Sequence, residues 1–364
     1  MRLATALLRW YDRTRRDLPW RRAPSPYKTL VSELMLQQTT VATVIPYFER
    51  FLARFPTLGA LAAASEDEVT ALWSGLGYYA RARNLRRAAA GAVAEHGGAL
   101  PRTEAELGAL PGLGPYTAAA VAAIAFGVPT FALDGNGARV MARLGGVRES
   151  IDEPATRARL RAAGLREVPR ARPGDFTQAV MELGATICTP RGPRCDDCPV
   201  KAACAAFGGG IVDQIPRRSR KPARPIVRVA CACVTDGARV LLVKRRAGLL
   251  AGTWSLPEAV VAAGAPSEAA RRLATDAGVS PARIEHRGAI RHVFTHRDVT
   301  AEVFRIEVAR AGGGGSASRW VAPDGLAELG VSTFTRKTVA LGLDGAERPA
   351  RPPRAKRDNG PVRS

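Results

Sequence analysis

Cys188, Cys195, Cys198 and Cys204 stand at the spacing C-x6-C-x2-C-x5-C, with Pro199 behind the third. Four thiolates on one short loop can ligate an iron-sulfur cluster or hold a zinc ion tetrahedrally, and spacing alone leaves both open. Leu110-Pro-Gly-Leu-Gly-Pro115 is a tight turn in front of the apolar stretch Tyr116 to Phe126. Gly112 and Gly114 let backbone amides come close to a partner, and Pro115 suits a first helical position. A helix start of this kind can bind phosphate, although an ordinary glycine-rich connection reads the same way. Two carboxylates stand out as well. Glu33 sits beside Met35 and Leu36 in an apolar helical stretch, where burial would raise its pKa and keep it protonated near neutrality; a solvated Glu at a helix start is the plainer alternative. Asp134 precedes Gly135-Asn136 and a helix through Val140 and Leu144, which it could simply cap.

Helical periodicity runs to about residue 205, with Leu3, Leu7, Leu8 and Tyr11 on one stripe and Val31, Leu34, Met35 and Gln38 on another. Ser65-x-x-Glu68 and Thr103-x-x-Glu106 are capping-box starts. Residues 1–207 therefore read as an all-α domain that carries the cysteine loop 188–204. A basic, Pro-rich stretch, 208–226, reads as an extended linker. Beyond it, 227–345 reads as an α+β domain: strands at Val227–Val234, Val240–Val243 and Val299–Val308, a turn at Asp236-Gly237 and a helix over Ser267–Ala277. Cys231 and Cys233 alternate on one strand face and suit core packing. Gly312–Gly315 reads as a flexible loop, and 346–364 as a disordered basic tail.

The chain of 364 residues is 46% apolar, enough for about two domains with their own cores, which excludes whole-chain disorder and a fibre. Its 54 Lys and Arg against 33 Asp and Glu give a net charge of +21, which favours a polyanionic partner such as nucleic acid. About half of that excess lies in two segments, Arg217–Arg228 and Arg348 onward. No window is apolar enough to span a membrane, and Met1–Arg16 lacks a cleavable leader pattern. A soluble cytoplasmic monomer is expected, with its cysteines used for metal or packing rather than disulfides.

The order of hairpin, Leu133-Asp134-Gly-Asn136 and four-cysteine loop resembles the helix-hairpin-helix DNA glycosylases of the endonuclease III superfamily. More closely, the first 205 or so residues resemble the MutY family of adenine glycosylases. The carriers are Leu18-Pro-Trp-Arg21, Ser32-Glu-Leu-Met-Leu-Gln-Gln-Thr39, Trp73-Ser-Gly-Leu-Gly-Tyr-Tyr-Ala-Arg-Ala-Arg-Asn84 and Gln178-Ala-Val-Met-Glu-Leu-Gly184. Gly248-Leu-Leu-Ala-Gly-Thr-Trp254, Leu256-Pro257 and Phe294-Thr-His296 resemble that family's Nudix-like module.

The resemblance implies an enzyme that removes adenine opposite 8-oxoguanine or guanine in duplex DNA. It assigns Glu33 as general acid and Asp134 as stabiliser of the developing sugar cation, with Tyr116 and Asn136 assisting. Trp20, Arg21 and Glu182 would hold the extruded base. Gln38, Thr39, Leu76, Tyr78, Gly112 and Gly114 would touch DNA, with Gln38, Leu76 and Tyr78 as wedges, while Arg81 and Arg83 could meet phosphate or face water. Phe294, Thr295 and His296 would read the lesion, and Cys188, Cys195, Cys198 and Cys204 would hold a [4Fe-4S] cluster. Tyr116 stands where bifunctional relatives have a Schiff-base lysine, so no lyase step is expected. A glycosylase of other base preference and a non-catalytic lesion-binding protein are the alternatives. A Nudix hydrolase is disfavoured, because Arg272-Leu273-Ala274-Thr275 occupies the place of the metal-binding acidic run.

Overall fold

The computed structural model describes residues 3–220, 222–248, 250–308 and 317–343. The Gly312–Gly315 loop and the 346–364 tail read from the sequence lie outside the described residues. Contacts divide the chain into two compact units. One is Met1–Ala223 with Lys244–Trp254 and Gly325–Ser332; the other is Arg224–Val243, Ser255–Asp324 and Thr333–Ser364.

The first unit is built of short helices: α1 (Leu3–Thr14), α2 (Pro19–Arg22), α3 (Pro26–Leu36), α4 (Val41–Arg54), α5 (Leu58–Ala63), α6 (Glu66–Leu72) and α7 (Ala80–Glu95). There follow α8 (Glu104–Ala109), α9 (Pro115–Phe126), α10 (Gly135–Leu144), α11 (Pro154–Glu167), α12 (Pro173–Thr186) and α13 (Ala205–Gly208). Their starts are written in the sequence. Ser65 and Thr103 make both halves of a capping box with Glu68 and Glu106. Ser25, Thr40 and Asp134 cap α3, α4 and α10 through their side chains. One core joins Leu7, Trp10 and Tyr11 of α1 to Val140 of α10, Leu160 of α11 and Phe176, Val180 and Leu183 of α12. Ile215 belongs to that core at 2% exposure, and the Arg217 carbonyl accepts from Ile151 N at 3.0 Å. The start of the basic stretch is thus pinned to the helical unit by buried Ile215 and a short backbone pairing, and is not an extended linker from residue 208 onward.

The second unit contains most of a seven-stranded mixed sheet, with β1 (Ile226–Thr235), β2 (Val240–Lys244), β3 (Trp254–Ser255), β4 (Glu258–Val260), β5 (Arg283–Val293), β6 (Asp298–Glu307) and β7 (Ser318–Val321). The path runs β3-β2-β1-β6-β5, with β4 against β1 and β7 against β2. β1 pairs parallel with β6, from Ile226↔Asp298 to Thr235↔Glu307, and Cys231 and Cys233 are fully buried in it. The helices α14 (Pro266–Asp276) and α15 (Thr333–Leu343) pack on this sheet. A Cβ on Gly342 of α15 would come within 2.5 Å of Cys233 Sγ, so only glycine permits that approach. Among the described residues no helix is long and apolar enough to cross a membrane.

Candidate active site

Two helices of the first unit turn one face each toward a cavity of about 880 Å³. Thr29, Ser32, Glu33 and Leu36 line it from α3, and Gln178, Met181, Glu182 and Ala185 from α12. Both sets follow the i, i+3, i+4, i+7 repeat of one helical stripe. Tyr116 enters from the first turn of α9, and Asp134, Gly135 and Asn136 from the start of α10; Trp20, Arg21, Gln38 and Thr39 complete the predicted residues in the lining. Glu33 is the eighth residue of α3, well beyond any capping position.

Tyr116 Oη donates to Glu33 Oε2 at 2.7 Å. Glu33 is 8% exposed, and burial pushes its carboxyl up to about 7 against the Tyr116 hydrogen bond, with the Asp134 charge raising it further. Tyr116 is raised well above the usual phenol range, chiefly by burial and then by Glu33, so it stays a donor. Asp134 Oδ1 accepts from Gly137 N at 2.6 Å. Burial raises the Asp134 pKa, while the amides of Gly137 and Asn136 oppose that rise by stabilising the carboxylate. Glu182 behaves differently in the same cavity. Burial would push it up, but Arg16 at 2.6 Å and Arg21 at 3.0 Å hold it below the usual carboxylate range. One carboxyl is thus poised to carry a proton and another is kept ionised, which is how a single site separates acid from anion.

The supporting contacts carry little sequence signal. Arg21 Nε donates to Gln178 Oε1 at 3.2 Å. Gln37 Nε2 donates to Thr117 Oγ1 at 3.1 Å, joining α3 to α9. A Cβ on Gly184 would lie 2.7 Å from Asn136 Cβ, so that glycine lets α12 close on the start of α10. Arg16, Gln37, Gln178 and Gly184 could have been singled out only through their motif neighbours.

Four of the residues expected at DNA lie outside the cavity lining: Leu76, Tyr78, Gly112 and Gly114. Leu76 is 6% exposed, so its side chain is packed inward and is not presented as a wedge. Gln38 is exposed and Tyr78 half-buried, both with left-handed backbone, at φ 55° and 50°. Gly112 has φ 86°, and a Cβ there would meet Asn84 Cα at 2.8 Å, so the α8–α9 turn closes onto α7 only with glycine. Gly114 is the N-cap of α9 and offers no side-chain cap, which leaves the first amides of the helix free of one. Arg81 does not face phosphate or water; it is buried at 5% exposure.

Cys188 follows the end of α12, Cys195 and Cys198 begin and close the 3₁₀ turn Cys195–Asp197, and Cys204 closes the turn Lys201–Ala203; all four thiols are free and half-buried around one cavity with Ile187, Phe207 and Val212. Arg143 Nη1 lies 3.3 Å from Cys188 Sγ. Burial pushes the Cys198 thiol up to about 11, and the other three thiolates add to the shift. Four thiols lining one cavity, with a guanidinium alongside, are the soft donor set that an iron-sulfur cluster takes. Among the described residues no three His, Cys, Asp or Glu side chains converge on the position of a single metal ion.

Residues 31–164 match the model of the HhH-GPD superfamily of base excision DNA repair proteins, and residues 229–341 match the NUDIX domain model. The mouse adenine DNA glycosylase is 37% identical over 92% of this chain and 76% of its own length. The chain belongs to the adenine DNA glycosylase family. Against the human adenine DNA glycosylase identity is 39%, over 82% of this chain and 66% of that protein, so the chain spans slightly less than two thirds of the human relative. A solved structure of a thermostable thymine-DNA glycosylase superposes with a TM-score of 0.52 at 29% identity, over 57% of this chain and 95% of that one.

Adenine DNA glycosylase membership covers both halves of the chain, and the second half has its own candidate surface. Phe294 to Arg297 form the turn between β5 and β6, closed by Phe294 N donating to Arg297 O at 2.9 Å. The Phe294 ring packs on His292 at 4.5 Å and Phe334 at 5.7 Å, while Thr295 and His296 are exposed at the tip.

Proposed function

We propose that this chain hydrolyses the N-glycosidic bond of adenine mispaired with 8-oxoguanine or guanine in duplex DNA, with no lyase step. The observation that carries the reading is the buried Glu33, hydrogen-bonded to Tyr116 at 2.7 Å in the cavity that also holds Asp134. Protonated Glu33 donates to a ring nitrogen of the extruded adenine as the C–N bond breaks, and the bonding electrons leave with the neutral base. The sugar becomes an oxocarbenium-like cation, which the Asp134 carboxylate stabilises, as a carboxylate does in glycoside hydrolysis. Ionised Glu33 then takes a proton from the water that adds to the sugar, and its starting state returns. Arg16 and Arg21 hold Glu182 ionised as an acceptor for the base. Among the described residues that line the cavity there is no lysine whose amine could form an imine.

Cys188, Cys195, Cys198 and Cys204 would hold a [4Fe-4S] cluster, which would tie the loop into one body through four iron-thiolate bonds. Protein purified without oxygen is expected to carry about four irons per chain; one zinc and no iron by elemental analysis would overturn the assignment.

The functional test is single-turnover release of base from duplexes with adenine opposite 8-oxoguanine, guanine or thymine. Release should be fastest opposite 8-oxoguanine, and Thr295→Ala should lower the preference over guanine, a good base-edge contact being worth about 1–3 kcal/mol. Release of pyrimidines instead, or of no base, would overturn the reading.

A further inference from the structure

Arg81 is buried in the first unit, and every hydrogen bond its guanidinium makes goes to a neutral oxygen. Nη1 reaches the carbonyls of Leu34 at 2.9 Å, Met35 at 2.7 Å and Gln37 at 2.5 Å. Nη2 reaches Thr39 Oγ1 at 3.2 Å, the Leu76 carbonyl at 3.2 Å and the Gly77 carbonyl at 3.0 Å. Nε has no partner. A cation without a counter-ion is costly to bury, and an apolar residue would serve if this position were only for packing.

Its acceptors fall on two separate turns, the last turn of α3 with the residues that follow it (34–39) and 76–77. Among the described residues the only non-glycine positions with positive φ are Gln38 and Tyr78, each inside or directly after one of those turns. Left-handed backbone at such residues persists only where the surroundings enforce it. Gln38 is exposed on the lining of the catalytic cavity, and the Tyr78 ring lies 5.6 Å from the Arg81 guanidinium carbon. Because Glu33 is buried, the target base must leave the stack to reach it, and side chains inserted into the duplex fill the gap.

We infer that Arg81 is a positioning residue for base extrusion: it clamps the 34–39 and 76–78 turns together, so that Gln38 and Tyr78 meet the duplex as one preassembled wedge. The inference rests on the adenine-release reading above. A wedge held in place before binding does not have to be ordered during it, and a lysine, with one ammonium, cannot span acceptors on both turns.

The test compares Arg81→Lys with the wild type on adenine in a paired duplex and on adenine in an unpaired loop, where the stack is already open. Single-turnover release from the paired duplex should fall roughly tenfold to hundredfold, the scale of a 1 Å misplacement, while release from the loop stays close to wild type. The fluorescence rise of 2-aminopurine at the target position should slow in parallel. Adding Tyr78→Ala to Arg81→Lys should cost little more, since both act on one step. Equal loss on both substrates, or no loss on either, would overturn the clamp. If Arg81→Lys does not fold, Thr39→Val removes a single acceptor and must show the same split between substrates, or the clamp is wrong. Wild-type protein that releases adenine from neither substrate would instead bring down the functional reading, and the clamp with it.

Discussion

Glu33→Gln should bind the mispaired duplex as the wild type does and release adenine about 10²–10⁴-fold more slowly in a single turnover. The substitution keeps the size and the Tyr116 contact but removes the transferable proton. Because burial sets the Glu33 pKa at about 7, the wild-type rate should fall as pH rises through that value, and the residual Glu33→Gln rate should not follow the same limb. Wild-type speed in the variant, or a pH profile unchanged by it, would remove Glu33 from the chemistry.

The same burial has a stability consequence of known sign. Glu33 has a folded pKa raised from 4.5 to about 7, so its contribution to stability is complete below 4.5 and is lost as pH rises through 7. The loss is on the order of 3 kcal/mol at higher pH. Glutamine carries no charge and escapes it, so Glu33→Gln should unfold at higher denaturant than the wild type at pH 8 and lose that margin near pH 4.5. An inactive variant that gains stability is the pattern of a group kept strained for catalysis.

Where local rules decide the structure, the sequence was a good guide. The capping boxes at Ser65 and Thr103, the cap at Asp134, and β1, β2 and β6 fall within a residue or so of where propensity puts them. The edge strand β5 was not seen, because Arg-Ile-Glu-His-Arg-Gly-Ala-Ile-Arg-His-Val has no apolar run, and neither of its faces is fully buried. Site residues in the motifs could be named, and nine of them line one cavity, but their distances and charges come from helices that meet far apart in sequence. Leu76 and Arg81 show the limit of residue type. A leucine in a wedge motif and an arginine beside tyrosines read as surface groups, yet both are buried, the arginine because the carbonyls of the turn fold around its guanidinium.

Asp134→Asn separates two duties that one side chain performs. Asp134 caps α10 through Gly137 N, and asparagine caps as well as aspartate does while escaping the burial that raises the Asp134 pKa, so the variant should be at least as stable as the wild type. Asp134→Ala should lose about 1 kcal/mol with the cap. Neutral asparagine cannot oppose the positive charge that develops on the sugar, and single-turnover adenine release should fall by about 10²-fold or more, the scale of lost electrostatic stabilisation in a water-poor site. A second effect follows from the coupling of the two carboxyls. The Asp134 charge helps to raise Glu33, so its removal should move the falling limb of any residual activity to lower pH. Asp134→Asn with full activity would leave Asp134 as a helix cap alone. Lost activity with an unshifted limb would mean that the two carboxylates do not feel each other across the cavity, and the acid at Glu33 would then owe its pKa to burial only.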